Sequence, residues 1–394
     1  MGVHRTRQPA NSPTCAQAHA NLLSLSQPVF WLTWIQQLWN RFRNGNQCTH
    51  FGAQSAMIGS CASRAQSAEG TSSEVKPAVR HVALIYNPAS GQYSARRAAG
   101  IQDALDVMRS AGVETEEFET NGAGSGMACA QRAIAAGCDA IIACGGDGTA
   151  HEVVQSLVGT NVALGVIPLG TANALASDLG LIGSPAKVTR SLLEAAPVRV
   201  PVGRIHFQNG DGNPDSRYFI VAAGVGADAL LMARMDAGLK RRLGYLLYIT
   251  EAFRIWATDP FPLFRAAFTK NGHDRPRDAE ISQLLAVRVR SFGGLLRKLA
   301  PGATLRSGSL SLVAFKTRNR LRYLSFLLAV IAGRHTFLRD VELWDASSVV
   351  CRPRNGSSKP IFVEADGEVL GSLPVRLEVV PDALTVLVPP GANP

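Results

Sequence analysis

From residue 80 to about residue 200 the chain alternates short apolar runs with longer stretches in which apolar positions recur every three or four residues. The runs at 80–86, 113–118, 139–144 and 163–167 predict buried strands. The stretches near 94–110, 126–136, 149–158 and 171–178 predict helices between them. Strand alternating with helix predicts an α/β unit with a mostly parallel sheet. Beyond it, two-residue alternation takes over. Residues 198–207, 217–223, 262–269, 281–290, 309–316, 338–345 and 374–389 predict antiparallel strands, interrupted by helices near 227–236, 241–257 and 320–332. The stretch from Leu243 to Trp256 is apolar over more than one helical face, which fits a lipid contact as well as packing on a sandwich. Residues 321–332 pose the same question and are too short to span a bilayer.

The first 78 residues follow neither pattern. No Asp or Glu precedes Glu69, whereas Arg5, Arg7, Arg41, Arg43 and Arg64 lie among Ser, Gln and Ala. An interfacial anchor, a presequence and an over-extended reading frame with Met57 as the start all fit such a segment. These readings leave open a cytoplasmic protein peripheral to the membrane and an organelle-targeted one.

Charge narrows the partners. With 40 Lys and Arg against 30 Asp and Glu, the 394-residue chain carries a formal +10, which favours an anionic partner. Nucleic acid is not expected, because no basic face with interleaved aromatics and no reader motif is present. The seven cysteines show neither metal-ligand spacing nor an even disulfide framework, so a reducing interior is the simplest compartment.

Candidate chemistry lies where the predicted strands end. The run closing at Cys144 feeds Gly145, Gly146, Asp147, Gly148 and Thr149, and a helical pattern opens with Ala150, His151 and Glu152. Glycines allow successive N–H groups to point into one concavity, the helix start adds partial positive charge, and Asp147 supplies a carboxylate for Mg²⁺. Two more strands end in turns of similar composition, Asn87-Pro88-Ala89-Ser90-Gly91 and Pro168-Leu169-Gly170-Thr171-Ala172-Asn173. Open parallel sheets bind ligands at that edge. Late in the chain Asp366-Gly367-Glu368 places two carboxylates around one glycine, where residues two apart project to one side of an extended segment. Asp-Gly is also a hairpin signal.

The order of these motifs, with Thr120 between them and Ala223-Gly224-Val225-Gly226-Ala227-Asp228 and Lys240-Arg241-Arg242-Leu243-Gly244-Tyr245 after them, resembles the diacylglycerol kinase catalytic-domain family over residues 79 to 390. That family includes sphingosine, ceramide and bacterial lipid kinases. The resemblance implies a two-domain fold: a Rossmann-like α/β domain over 79–202 and a β-sandwich domain over 203–394 whose last segment returns to the first. It implies ATP in the cleft, Mg²⁺, a lipid hydroxyl as acceptor at the membrane surface, and Asp366 or Glu368 as the base. The expected ATP-side residues are Asn87 to Gly91, Arg97, Thr120, Gly145 to Glu152, Thr171 and Arg241, with Asp147 on the metal. A homodimer stays open. One departure stands out: bacterial members often carry Asp in a turn that helps hold a structural Mg²⁺, and Ser307 occupies that position beside Arg306. A neutral hydroxyl is a poor ligand for a hard dication. A soluble NAD-type or sugar kinase and a noncatalytic binding module are the alternative functions.

Overall fold

Strands β1 (His81–Tyr86), β2 (Glu114–Glu119), β3 (Ala140–Gly145) and β4 (Ala163–Pro168) are parallel in the order β2-β1-β3-β4. The computed structural model describes residues 79–393 apart from 89–93, 123, 171, 235–244, 270–276, 293–298 and 357–358. The readings made for residues 1–78 lie outside those described. β3 is buried at every position, as a central strand covered on both faces must be. β2, with four glutamates in six residues, lies at the edge, where charge discourages pairing with another sheet.

The crossovers are α1 (Ser94–Ser110), α2 (Ser125–Ala135), α3 (Asp147–Leu157), α4 (Ala174–Asp178) and α5 (Pro185–Leu193), with α1 packed on α5 and α2 on α3. The hydrophobic pattern alone does not predict α5. Its start is nevertheless written in the chain, because Ser184 accepts the Lys187 N–H and Pro185 occupies the first turn.

The second half contains β5 (Ala196–Gln208), β6 (Pro214–Phe219), β7 (Ala222–Gly226), α6 (Ala227–Arg234), α7 (Tyr245–Thr258), β8 (Phe264–Thr269), β9 (Arg277–Ile281), β10 (Gln283–Val287), β11 (Leu310–Phe315), α8 (Arg320–Ile331), β12 (Val341–Ala346), β13 (Ser348–Pro353), β14 (Phe362–Ala365), β15 (Glu368–Ser372) and β16 (Val375–Val388). The single strand expected over 281–290 is divided at Ser282, so that β9 and β10 belong to different sheets. β5 runs straight through residue 202, the expected domain boundary.

One sheet extends β2-β1-β3-β4 through β16, β13, β8 and β9, with β5 branching from β16 and carrying β6; the other has the order β12-β11-β10-β7-β14-β15. Alternation along β10 explains the layering. Leu284 and Ala286 enter the core between the sheets, whereas Leu285 and Val287 face a third core that also contains Ile255 of α7 and Tyr323 and Val330 of α8. β16 joins the halves: Thr385 and Val386 pair with Ala163 and Leu164 of β4, while its earlier residues pair with β5 and β13.

Arg288, 1% exposed, lies just after β10. Its Nη1 donates to the carbonyls of Ser307 and Ser309 at 2.7 and 2.8 Å, and its Nη2 to those of Pro201 and Leu305, both at 2.8 Å. A guanidinium therefore supplies positive charge to the turn that contains Ser307. Burial lowers its pKa to about 10, which leaves it cationic at neutral pH. Arg288→Met leaves four carbonyl contacts unmade, and an unfolding free energy lower by about 3–5 kcal/mol is expected from urea titration.

Candidate active site

Gly145 closes β3 and Gly146 precedes α3 in extended conformation, so the sheet edge turns directly into a helix N-terminus. Side chains do not fit here. A Cβ on Gly145 would strike the Thr149 side chain, and one on Gly170 would strike the Gly146 backbone. The β3 and β4 loops thus meet backbone to backbone, and Asn173 fastens the second by accepting the Gly170 N–H at 3.0 Å and donating to the Gly170 carbonyl at 2.8 Å. The lining of N–H groups that results suits phosphate oxygens.

Asp147, the first residue of α3, is half-buried and accepts backbone N–H groups from Asn173, Ala174 and Leu175. Burial raises its pKa, the negative charge of Asp366 raises it further, and the three N–H groups oppose both. Beside a phosphate-type cradle, the Asp147 carboxylate is the kind of oxygen donor that a hard dication such as Mg²⁺ takes.

Asp366 and Gly367 are the two central residues of the β14–β15 hairpin and have φ of 47° and 87°. Such a turn favours Asp-Gly because both residues adopt left-handed conformations. The Asp366 side chain is 1% exposed. Its Oδ1 accepts N–H groups from Val221 and Ala222 and its Oδ2 accepts from Ile220, each at 2.9 Å. His151 Nδ1 lies 3.2 Å from the same Oδ2, and His151 Nε2 lies 3.1 Å from Glu368 Oε2. Those four donors match the four lone-pair sites of a carboxylate. Glu368, with its side chain 54% exposed, keeps accessible oxygens.

His151 therefore bridges the acidic pair. Burial on its own would depress its pKa, but hydrogen bonds to Asp366 and Glu368 and their charges outweigh it and raise the value to about 9. The same contact lowers the Glu368 pKa. The motif spacing placed His151 on the ATP side and gave no sign of this bridge, since its partners lie 215 and 217 residues away. Behind the turn, Glu364 accepts the Gly367 N–H at 2.6 Å and is hydrogen-bonded to Asp228. Burial raises both pKa values, so the two carboxyls share a proton. Gly224 makes room for them, as a Cβ there would meet both side chains.

Other expected residues fall into three groups. Asn87, Thr120, Gly148 and Ala150 lie on the same sheet edge or on the first turn of α3, with Pro88 beside them. Arg97 donates to the Leu169 carbonyl at 2.7 Å, tying α1 to the β4 loop. Glu152 turns away from the cradle and accepts the N–H groups of Gly124 and Gly126 at 2.9 and 2.7 Å, capping α2. Ala89, Ser90, Gly91, Thr171 and Arg241 lie outside the described residues. Gln155 escaped sequence reading altogether, yet its amide donates to the Tyr218 carbonyl at 2.8 Å and accepts the Tyr218 N–H at 3.0 Å, fastening α3 to β6.

Comparison with known proteins agrees with this two-part construction. The family described as "Diacylglycerol kinase catalytic domain" matches residues 81–205, and the one described as "YegS C-terminal NAD kinase beta sandwich-like domain" matches 220–388. A diacylglycerol kinase of Bacillus subtilis strain 168 is 28% identical over 75% of this chain and 92% of its own length. One from Mycobacterium tuberculosis H37Rv is 29% identical over 78% and 95%. A Chromohalobacter salexigens protein named "Probable lipid kinase YegS-like" is 30% identical over 74% and 89%. A crystal structure from Bacillus anthracis strain Sterne shares the fold with a TM-score of 0.64 at 21% identity, covering 82% of this chain and 99% of that one. With both halves matched in order and a relative 30% identical across most of its length, the chain belongs to the diacylglycerol kinase catalytic-domain family of lipid kinases.

Proposed function

We propose that this enzyme transfers the γ-phosphate of ATP to the hydroxyl of a membrane lipid of the diacylglycerol or sphingoid type. The observation that carries the reading is the Asp366–His151–Glu368 bridge, buried at Asp366 and His151 and open to solvent at Glu368, which spans the phosphate-suited cradle and the sandwich. In this reading the backbone N–H groups of the β3 and β4 loops hold the phosphates, and Asp147 holds Mg²⁺ directly or through water. When bound, Mg²⁺ offsets phosphate charge. The acceptor oxygen forms its bond to the γ-phosphorus as the bond from that phosphorus to the bridging oxygen of ADP breaks, and the hydroxyl proton passes to the acidic pair. Glu368 is the member with reachable oxygens. Asp366, saturated by donors, holds His151 and the turn in place. Positioned proton acceptance of this kind contributes about 10²–10⁴ in rate.

The surface beyond the sandwich favours a lipid acceptor over NAD or a sugar. On α8 Leu321, Leu324, Leu327 and Leu328 are exposed, as is Phe253 on α7; exposed Arg318, Arg320 and Arg322, the last paired with Asp340, stand at the start of α8 and Arg334 just past its end. α7 and α8 are linked by the Trp256 indole N–H donating to the Arg320 carbonyl at 2.7 Å. Exposed apolar side chains on a helix with arginines at its ends suit insertion at an anionic bilayer surface. Among the described residues no helix is long and apolar enough to cross a membrane.

Four outcomes are expected. Radiolabelled ATP should label one lipid in a micellar panel of diacylglycerol, monoacylglycerol, sphingosine, ceramide and phosphatidylglycerol. Glu368→Gln and Asp147→Asn should each reduce kcat by about 10²–10⁴; label entering NAD instead would refute the lipid reading. Replacing Leu327 and Leu328 together with Glu should abolish flotation with phosphatidylglycerol vesicles, while turnover of a short-chain soluble acceptor persists. The fourth outcome concerns pH. His151 has a pKa raised from 6.5 to about 9, so its protonation stabilises the fold fully below about pH 6.5, and that contribution is lost as pH rises through about 9. Denaturation of wild type and His151→Asn should therefore differ most near pH 6 and converge above pH 9, by ~3 kcal/mol on the scale of 1.36 kcal/mol per pKa unit.

A further inference from the structure

The opposite edge of the parallel sheet, where the strands begin, carries a second cluster of chemistry. His81 opens β1, Glu116 lies on β2, and Cys138 precedes β3. His81 and Ala83 project to one face of β1, and the register places Glu114 opposite His81 and Glu116 opposite Ala83, so histidine and both glutamates share a face. His81 Nε2 lies 2.9 Å from Glu116 Oε1 and 3.6 Å from Cys138 Sγ. One donor atom from each of the three residues falls within 4.8 Å of the others.

From this geometry we infer that His81, Glu116 and Cys138 form a binding site for a thiophilic divalent transition metal, with Zn²⁺ the ion best matched. The sulfur–nitrogen distance supports the assignment, and Glu116 Oε1, hydrogen-bonded to Nε2 at 2.9 Å, would draw back to about 3.3 Å on binding. Tetrahedral Zn²⁺ with Zn–S of ~2.3 Å and Zn–N of ~2.0 Å sets sulfur and nitrogen about 3.5 Å apart, close to the separation seen here. One imidazole, one thiolate and one carboxylate suit zinc, whereas Mg²⁺ and Ca²⁺ take oxygen ligands. Three protein ligands leave the fourth position to water.

The surroundings agree. Cys138 is buried and free, His81 is partly covered, and Glu116 reaches solvent, which gives the ion a way in. On binding, the thiol proton leaves to solvent, and the His81 ring proton moves to Nδ1 so that Nε2 can ligate. Cys138 lies immediately before the backbone that Asp139 holds, its Oδ2 accepting N–H groups from Arg80 and His81 at 2.9 and 3.0 Å. An ion here would pin the starts of β1, β2 and β3 together. At ~3.3 Å per residue, the six-residue strand β1 separates this site from the phosphate cradle by roughly 20 Å. It is thus distinct from the Asp147 position.

Cobalt tests the inference, because thiolate-bound Co²⁺ shows charge-transfer absorption in the near ultraviolet. Reduced, metal-free full-length protein titrated with Co²⁺ should develop that band to one equivalent, and Zn²⁺ should displace it. Cys138→Ser should abolish the band, His81→Gln and Glu116→Gln should weaken Co²⁺ binding at least tenfold, and Asp147→Asn should leave the band unchanged. Zn²⁺ should also raise the Tm of the wild type and not that of His81→Gln, which reports on the site without requiring the cysteine variant to fold. Absence of the band, or a band that persists in Cys138→Ser, would overturn the assignment.

Discussion

The structure around the site depends on a single negative charge that has been taken out of water. A buried carboxylate is tolerated only when donors replace its hydration, and Asp366 finds them on two separate pieces of chain: Ile220 and Val221, with Ala222 at the start of β7, give three N–H groups, and α3 gives His151. Satisfying that charge fixes the hairpin turn against the α/β half. Asp147 and His151 are four residues apart, and so lie on one face of α3, one at the strand-end edge of the parallel sheet and the other against the sandwich. The helix therefore carries geometry from one half to the other without a hinge at this point, and Gln155, a further turn along, repeats the fastening on Tyr218.

Buried polarity recurs on either side of this turn. Glu364 and Asp228 share a proton beneath it, and Arg288 gathers four carbonyls at the edge of the sandwich. Each arrangement needs nearly complete satisfaction, because the low dielectric that strengthens a paired group penalises an unpaired one. Gly224, an unremarkable residue in a strand, is the space on which the acid pair depends.

The α/β half could be read closely from the chain because each signal was local. An apolar run such as Ala140 to Cys144 needs no distant residue to be recognised as a central strand, and Gly145 to Thr149 announces its turn by composition. Asp366-Gly367 was likewise readable as a turn. What escaped was long-range. Nothing within a few residues of His151 foretells contact with a carboxylate more than two hundred positions later, and Glu152, its neighbour, gave no hint that it caps α2 instead of facing a phosphate. The division of 281–290 at Ser282 was hidden for a related reason: Ile281 at the end of β9 and all of β10 are buried on either side of it, and only the Ser282 hydroxyl, hydrogen-bonded to the Phe315 and Thr317 carbonyls and to Tyr323, marks the break.

The position of β16 has a consequence for how the molecule is made. The sheet edge that β4 offers is completed by Thr385 and Val386, more than two hundred residues further along the chain, although β1 to β4 are synthesised first. A chain emerging from the ribosome exposes the β4 edge until its final strand arrives, and such edges invite pairing with other chains. The half that carries the phosphate cradle is thus the earliest to be translated and the last to be sealed. A truncation that removes only the final strand takes away a wall of the domain at the other end of the sequence.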